Sequence, residues 1–226
     1  MNFPEYKHIQ IETDGKTLTV ILNRPELHNA FNEEMIAEVT NAFELINQRD
    51  ERVVVIRGNG KSFCAGADLN WMKKMKDYTE EENERDAKGL DGMFYAIYTC
   101  TKPVISYVQG GVFGGGTGIL ASSDIVIAHK DTKFGFTEVK LGLVPAVISS
   151  YLVKKITLPA LREFLITGAI FDTTVAKEIG LVNYVEEDFE KMNERLNNLI
   201  KQFLSVGPIA IAETKKLVSY QLENRM

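Results

Sequence analysis

The chain has 226 residues, 45% of them hydrophobic and 25% charged, and 26 Lys plus Arg against 31 Asp plus Glu give a formal net charge of −5. This balance excludes disordered and low-complexity chains, and an acidic chain without a basic block is not expected to bind nucleic acid or an anionic membrane surface. At roughly 150 residues per domain the length allows one large domain or two small ones. No apolar run approaches the ~20 residues of a membrane span. The segment 1–7 has no apolar signal core, and the two cysteines, Cys64 and Cys100, have neither metal spacing nor a disulfide framework. Two reduced thiols in a cytoplasmic protein are therefore expected.

Apolar periodicity predicts alternating short strands and longer helices. Residues 7–12 and 17–23 read as a hairpin joined at Asp14-Gly15. Met35, Ile36, Val39, Phe43 and Ile46 have helical spacing over 33–48, with Asn32 as N-cap. The run 53–57, all β-formers except its Arg, predicts a buried strand. A short helix over 70–76 follows, then a longer one over 79–99 opened by a Thr79/Glu82 capping box. Next come a strand at 103–108, a glycine-rich turn, a helix at about 115–122 and a strand at 125–129. From 145 onward the pattern is mostly helical, at about 147–155, 158–167, 188–205 and 208–222. One α/β unit with a helical C-terminal part is expected, without a linker or internal repeat.

The three histidines are scattered and no metal cluster, P-loop, HExxH or GxSxG motif occurs. Two strand-to-helix turns stand apart: 61–69 (KSFCAGADL) and 110–118 (GGVFGGGTG). Small residues there let a ligand approach the backbone, and a helix N-terminus supplies free N–H groups, so two such turns that converge can hold a negative oxygen. The bland reading of the glycines is tight turns and close packing. Gly116-Thr117-Gly118 with Glu138 twenty residues on imitates a dinucleotide fingerprint. The intervening Gly110–Gly115 and the end of the strand near His129 break the context that motif needs.

The segment 61–69, Gly114-Gly115-Gly116, and Phe134-Gly135-Phe136-Thr137-Glu138-Val139 together resemble the enoyl-CoA hydratase/isomerase (crotonase) superfamily. Asn23-Arg24-Pro25 with Asn29-Ala30 is similar to the family's CoA-contacting turn, and 172–182 to its later helix-turn. Within the superfamily, 68–73 and 138–146 look most like bacterial methylglutaconyl-CoA hydratases of leucine degradation. The resemblance implies a spiral of ββα units over 1–190 and, from 191 to 226, the start of a helical trimerisation region of a homotrimer or dimer of trimers. It implies an acyl-CoA substrate, with coenzyme A entering as part of it and no separate cofactor or metal.

Carried over by position, the N–H groups of Ala67 and Gly115 match an oxyanion hole and Glu138 matches the acid/base. Arg24, His28, Ala30, Lys61, Ala65, Asp68, Leu69, Gly114 and Gly118 match the CoA and substrate path. Lys73 and Lys74 are further cations for phosphates. Asp68 also suits an N-cap and Asp124 a structural role. Trp71, Met72 and Met75 border the acyl pocket or form a core stripe. The usual hydratase carries a second glutamate three residues after the hole glycine. Here that position is Gly118, expected to face the acyl pocket and enlarge it. The sequence given also ends at Arg225-Met226, where the family usually continues with further helices. A hydratase of a branched or carboxylated enoyl-CoA is expected, with an enoyl-CoA isomerase and a non-catalytic CoA-thioester-binding subunit as alternatives.

Overall fold

A computed structural model of the protein describes residues 3–75 and 77–224; Lys76, the expected end of the short second helix, lies outside them. Strands β1 (Ile9–Asp14) and β2 (Thr17–Leu22) form the expected hairpin, with Gly15 at φ +58° in its turn. Helix α1 (Glu33–Ile46) buries Met35, Ile36, Val39, Ala42, Phe43 and Ile46 on one face, and the Asn32 side chain accepts the Met35 N–H at 2.9 Å. Strand β3 (Val53–Gly58) lies parallel to β2, and α2 (Leu69–Met75) and α3 (Glu80–Tyr98) follow it. Both halves of the Thr79/Glu82 capping box are made.

The next units repeat one pattern. Strand β4 (Val104–Val108) lies in the large sheet, β5 (Gly111–Phe113) in a small one, and α4 (Gly115–Ser122) returns the chain. Strands β6 (Ile125–His129) and β7 (Lys133–Gly135) repeat the split, and β8 (Ile170–Phe171) and β9 (Tyr184–Glu186) complete the two sheets. The large sheet has the order β1-β2-β3-β4-β6-β9, parallel from β2 onward, and the small one β5-β7-β8. This is the expected spiral of ββα units.

The main core fills the space between the large sheet, α1, α3 and the small sheet. A second apolar cluster lies on the sheet's other face, where Met192 and Leu199 of α8 (Phe189–Leu204) meet Val53, Val55, Ile105 and Ile127. The expected division at 190/191 thus falls inside a helix that packs on the sheet. Helices α5 (Ala146–Leu152), α6 (Leu158–Thr167) and α7 (Thr173–Glu178) precede α8, and α9 (Pro208–Glu223) ends the described chain. Asp124 has the expected structural role: its carboxylate accepts the Val104 N–H at 2.7 Å and the Lys215 ammonium of α9 at 2.6 Å. Among the described residues no helix is long and apolar enough to cross a membrane.

Candidate active site

The two small-residue turns run side by side. Phe63 N–H donates to Gln109 O, Cys64 N–H to Gly111 O, and Phe113 N–H to Cys64 O, at 2.9, 3.2 and 2.9 Å. Side chains on the glycines would force the turns apart. A Cβ on Gly110 would fall 1.9 Å from Lys61 O, and one on Gly116 would fall 2.9 Å from Cys64 Cβ. Gly66 and Gly114 adopt φ +95° and +47°, which non-glycine residues rarely tolerate. The glycines thus serve close packing, and that packing brings two backbone segments to one cavity.

Ala67 sits on the first segment. Phe31 N–H donates to Gly66 O and Asp68 N–H to Phe31 O, at 2.7 and 2.8 Å, so the Ala67 N–H is left outside this ladder. Gly115 is the first residue of α4, where an N–H has no acceptor within the helix. Among the described residues neither N–H has a hydrogen-bond acceptor. Both residues line a cavity of about 320 Å³. Gly114, by contrast, spends its N–H on Gly135 O at 3.0 Å.

Glu138 opens a 3₁₀ turn (Glu138–Leu141) after β7 and lines the same cavity. Its Oε1 lies 3.3 Å from the point a Cβ on Gly114 would occupy, and its Oε2 is buried without a hydrogen-bond partner. Burial pushes the carboxyl above its ordinary value, against a smaller opposing pull from its own backbone N–H. A titratable carboxyl therefore lines the same cavity as two unpaired N–H donors, an arrangement able to stabilise charge on a bound oxygen and to move a proton next to it.

The other expected site residues divide. Ala65 and Leu69 line the cavity with Ala67, Gly114 and Gly115, and Trp71, Met72 and Met75 join them from α2. His28 and Lys61 are exposed, and His28 Nδ1 lies 3.1 Å from Ser62 Oγ. Arg24 is not the free cation expected for a phosphate. It is buried, with its guanidinium 2.8 Å from Asp68 Oδ2 and donating to Ala30 O. Asp68 and Ala30 are buried as this arginine's partners and do not line the cavity. Asp68 Oδ1 also accepts the Asn70 N–H at 2.8 Å, so the aspartate anchors the start of α2. Burial alone would raise the Asp68 carboxyl, but the Arg24 bond and the N–H donors outweigh it and hold it below its ordinary value. The turn keeps its shape through Asn29, whose side chain accepts Arg24 N–H and donates to Asn59 O and Ser62 O.

Gly118 also requires a correction. It is fully enclosed and does not line the cavity; a Cβ there would fall 2.3 Å from Cζ of Phe94, a fully buried ring of α3. The space left by the missing side chain is filled by an aromatic ring and gives the acyl group no extra room.

The cavity's remaining walls were not anticipated. Asn83, Asp86, Ala87 and Leu90 of α3 form one side, and 143–148 with Leu141 form another. The signal for the second wall was present: Leu141, Leu143 and Val144 form an apolar run that the fold leaves exposed, Val144 by 82%. The α3 residues give no such signal, because their spacing is that of an ordinary helix face.

Comparison with known proteins shows the family. The model of the family "Enoyl-CoA hydratase/isomerase" matches residues 12–226. A putative enoyl-CoA hydratase of Thermus thermophilus is 33% identical over 211 residues, 93% of this chain and 83% of the relative. The crystal structure of an enoyl-CoA hydratase from Shewanella pealeana superposes with a TM-score of 0.94 at 33% identity, covering 97% of this chain and 82% of that one. A putative enoyl-CoA hydratase/isomerase (crotonase) from Legionella pneumophila gives 0.89 at 37% identity, covering 94% and 82%. Sequence and fold point the same way along nearly the whole chain, which belongs to the enoyl-CoA hydratase/isomerase family of enzymes.

Proposed function

We propose that the enzyme is a hydro-lyase that adds water to, or removes it from, the double bond of a branched or carboxylated enoyl-CoA such as methylglutaconyl-CoA. One observation carries the reading: half-buried Glu138, whose Oε2 is buried and unpaired, lines one cavity with Ala67 and Gly115, whose N–H groups are unpaired. The thioester oxygen binds between the two N–H donors and receives the enolate charge as water attacks C3. Removing one such donor costs about 3–4 kcal/mol in other enzymes, so this pair is the main catalytic contribution. Glu138, ionised, takes a proton from the attacking water and returns it to C2, one carboxyl serving both steps.

Coenzyme A arrives with the substrate. With Arg24 neutralised by Asp68, the phosphates are left to the exposed Lys61, Lys73 and Lys74, while His28 and Ala65 flank the turn they cross. The branched acyl group rests on Leu69, Met72, Met75, Val144 and Ile148. The methylglutaconyl assignment is supported by the resemblance of 68–73 and 138–146. A homotrimer or dimer of trimers would cover Ile209, Leu217 and Val218, which α9 leaves exposed.

A second reading has its own support. The position of a second glutamate is filled by Phe94, and a single carboxyl at the hole suffices to shuttle a proton between two carbons, as an enoyl-CoA isomerase does. Product mass from purified enzyme and a panel of enoyl-CoA esters, methylglutaconyl-CoA included, separates the two. A gain of one water supports the hydratase; an isobaric product with a displaced double bond supports the isomerase and overturns the first reading.

A further inference from the structure

A water placed for attack is held by more than its base, since an ordered water in a protein interior ordinarily makes about three hydrogen bonds. Glu138 supplies one partner. The place of a second glutamate is taken by Phe94, so a second partner has to come from elsewhere. Besides Glu138, and among the described residues, the polar side chains lining the cavity are those of Trp71, Asn83, Asp86 and Thr137. The Asp86 carboxyl turns to the Trp71 indole, and Asp86 Oδ2 and Trp71 Nε1 are closed off from solvent. Asn83 is exposed and spends its Nδ2 on Tyr78 O and Thr79 O at the start of α3. Thr137 remains.

Thr137 is the N-cap of the 3₁₀ turn that begins with Glu138, a position where Thr ordinarily accepts a backbone N–H. Its hydroxyl makes no such bond and has no other partner among the described residues. Thr137 is half-buried, and its Oγ1, unlike Glu138 Oε2, is not closed off. The neighbouring backbone fixes how the side chain lies. A Cβ on Gly135 would meet the Thr137 γ-methyl at 3.2 Å, and a Cβ on Gly114 would meet Glu138 Oε1 at 3.3 Å. Gly114 N–H donates to Gly135 O at 3.0 Å, so the two side chains rest on the two ends of one backbone link, next in sequence to the Gly115 donor. The methyl is the group packed on Gly135, which leaves the hydroxyl as the part of Thr137 free to meet a ligand.

We infer that the Thr137 hydroxyl holds the water that attacks C3, as the partner of Glu138 in hydration. The water gives one hydrogen to the Glu138 carboxylate and points the other at Thr137 Oγ1, which accepts it, so that a lone pair faces C3. As the O–C3 bond forms, the C2=C3 π pair moves into the thioester enolate at the hole, and the proton on Glu138 passes to C2. Thr137 itself gains and loses no proton. It therefore acts on the addition of water and has no part in moving a proton at C2. The inference rests on the hydratase reading above.

The test uses the wild type, Thr137→Val and Thr137→Ser. Valine keeps the methyl on Gly135 and removes only the hydroxyl. Hydration of the best enoyl-CoA ester is followed as loss of the conjugated thioester absorbance. Butyryl-CoA, which has no double bond to hydrate, gives a Kd by calorimetry and, in D₂O, the rate of C2 hydrogen exchange by mass. Thr137→Val should lower the kcat of hydration about tenfold, one hydrogen bond's worth, with the Kd and the C2 exchange of butyryl-CoA unchanged. Thr137→Ser should retain most of the hydration. A Thr137→Val enzyme that hydrates as the wild type does, one that loses hydration and exchange equally, or a Thr137→Ser enzyme as slow as Thr137→Val would each overturn the inference and leave the hydratase reading standing. A wild type that exchanges C2 hydrogens but hydrates no ester would defeat the hydratase reading and the inference with it.

Discussion

Gly118 gives the sharpest test of how the interior around the hole is built. Replacing it with Ala places a Cβ 2.3 Å from Phe94 Cζ and 2.7 Å from its Cε1, far inside van der Waals contact. The ring cannot retreat freely: it is fully buried and packs edge-on against Tyr151, with centroids 5.6 Å apart. Overpacking of this kind costs about 1–3 kcal/mol, and the severity of the overlap places it near the top of that range. Ala in place of Gly within a helix returns up to ~1 kcal/mol. The net expectation is a loss of about 2 kcal/mol, on the order of 30-fold in the folding equilibrium. Urea unfolding of the wild type, Gly118→Ala, Phe94→Leu and the double variant measures it. The double variant should recover at least ~1 kcal/mol relative to the sum of the single changes. A Gly118→Ala protein as stable as the wild type, with additive changes, would refute the claim that Phe94 fills the place of a second carboxyl.

Three other outcomes are expected. If ionised Glu138 is the base, kcat/KM should rise with pH through a midpoint above the ordinary glutamate value of ~4.3, because burial raises this carboxyl; a midpoint at or below that value would remove Glu138 from the role. Asp68→Asn should cost about 3–5 kcal/mol by leaving the buried Arg24 without its partner ion, as read by thermal or urea melting. Since the Asp68 carboxyl is held low, its contribution to stability is complete above its unfolded value and is lost as pH falls through the lowered folded value, so the variant's deficit should shrink in acid. Lys61→Glu should weaken acyl-CoA binding at low salt and much less at high salt, since an exposed charge acts through screened attraction; a salt-independent Kd in both proteins would exclude Lys61 from the phosphate path.

Much of the architecture was legible because its signals are local. The Asn32 and Thr79 caps, the Asp14-Gly15 hairpin and the buried strands at β3, β4 and β6 each rest on a few adjacent residues, and each formed where its pattern predicted. Strands β5, β7, β8 and β9 did not announce themselves. Two or three residues are too few for a period, and these strands exist because neighbouring turns in the spiral pair with them. In the site, the two small-residue turns marked the place where N–H groups converge. The errors came from side chains whose partners are distant in sequence. Arg24 reads as an available cation until Asp68, 44 residues away, neutralises it. Gly118 reads as an opening until Phe94 closes it. Trp71 reads as acyl-pocket border or core stripe, and only the fold sets Asp86 of α3 on the same cavity wall.

The central claim is that Glu138 performs chemistry beside the Ala67 and Gly115 N–H groups without itself supplying the binding of the CoA ester. The measurement that tests it most directly is the turnover of Glu138→Gln on the best substrate, taken together with the Kd of that ester. The account predicts turnover lower by at least ~100-fold with Kd nearly unchanged, since a general acid–base group contributes about 10²–10⁴ and the amide keeps the shape of the carboxyl. Near-normal turnover, or a loss carried wholly by Kd, would contradict it.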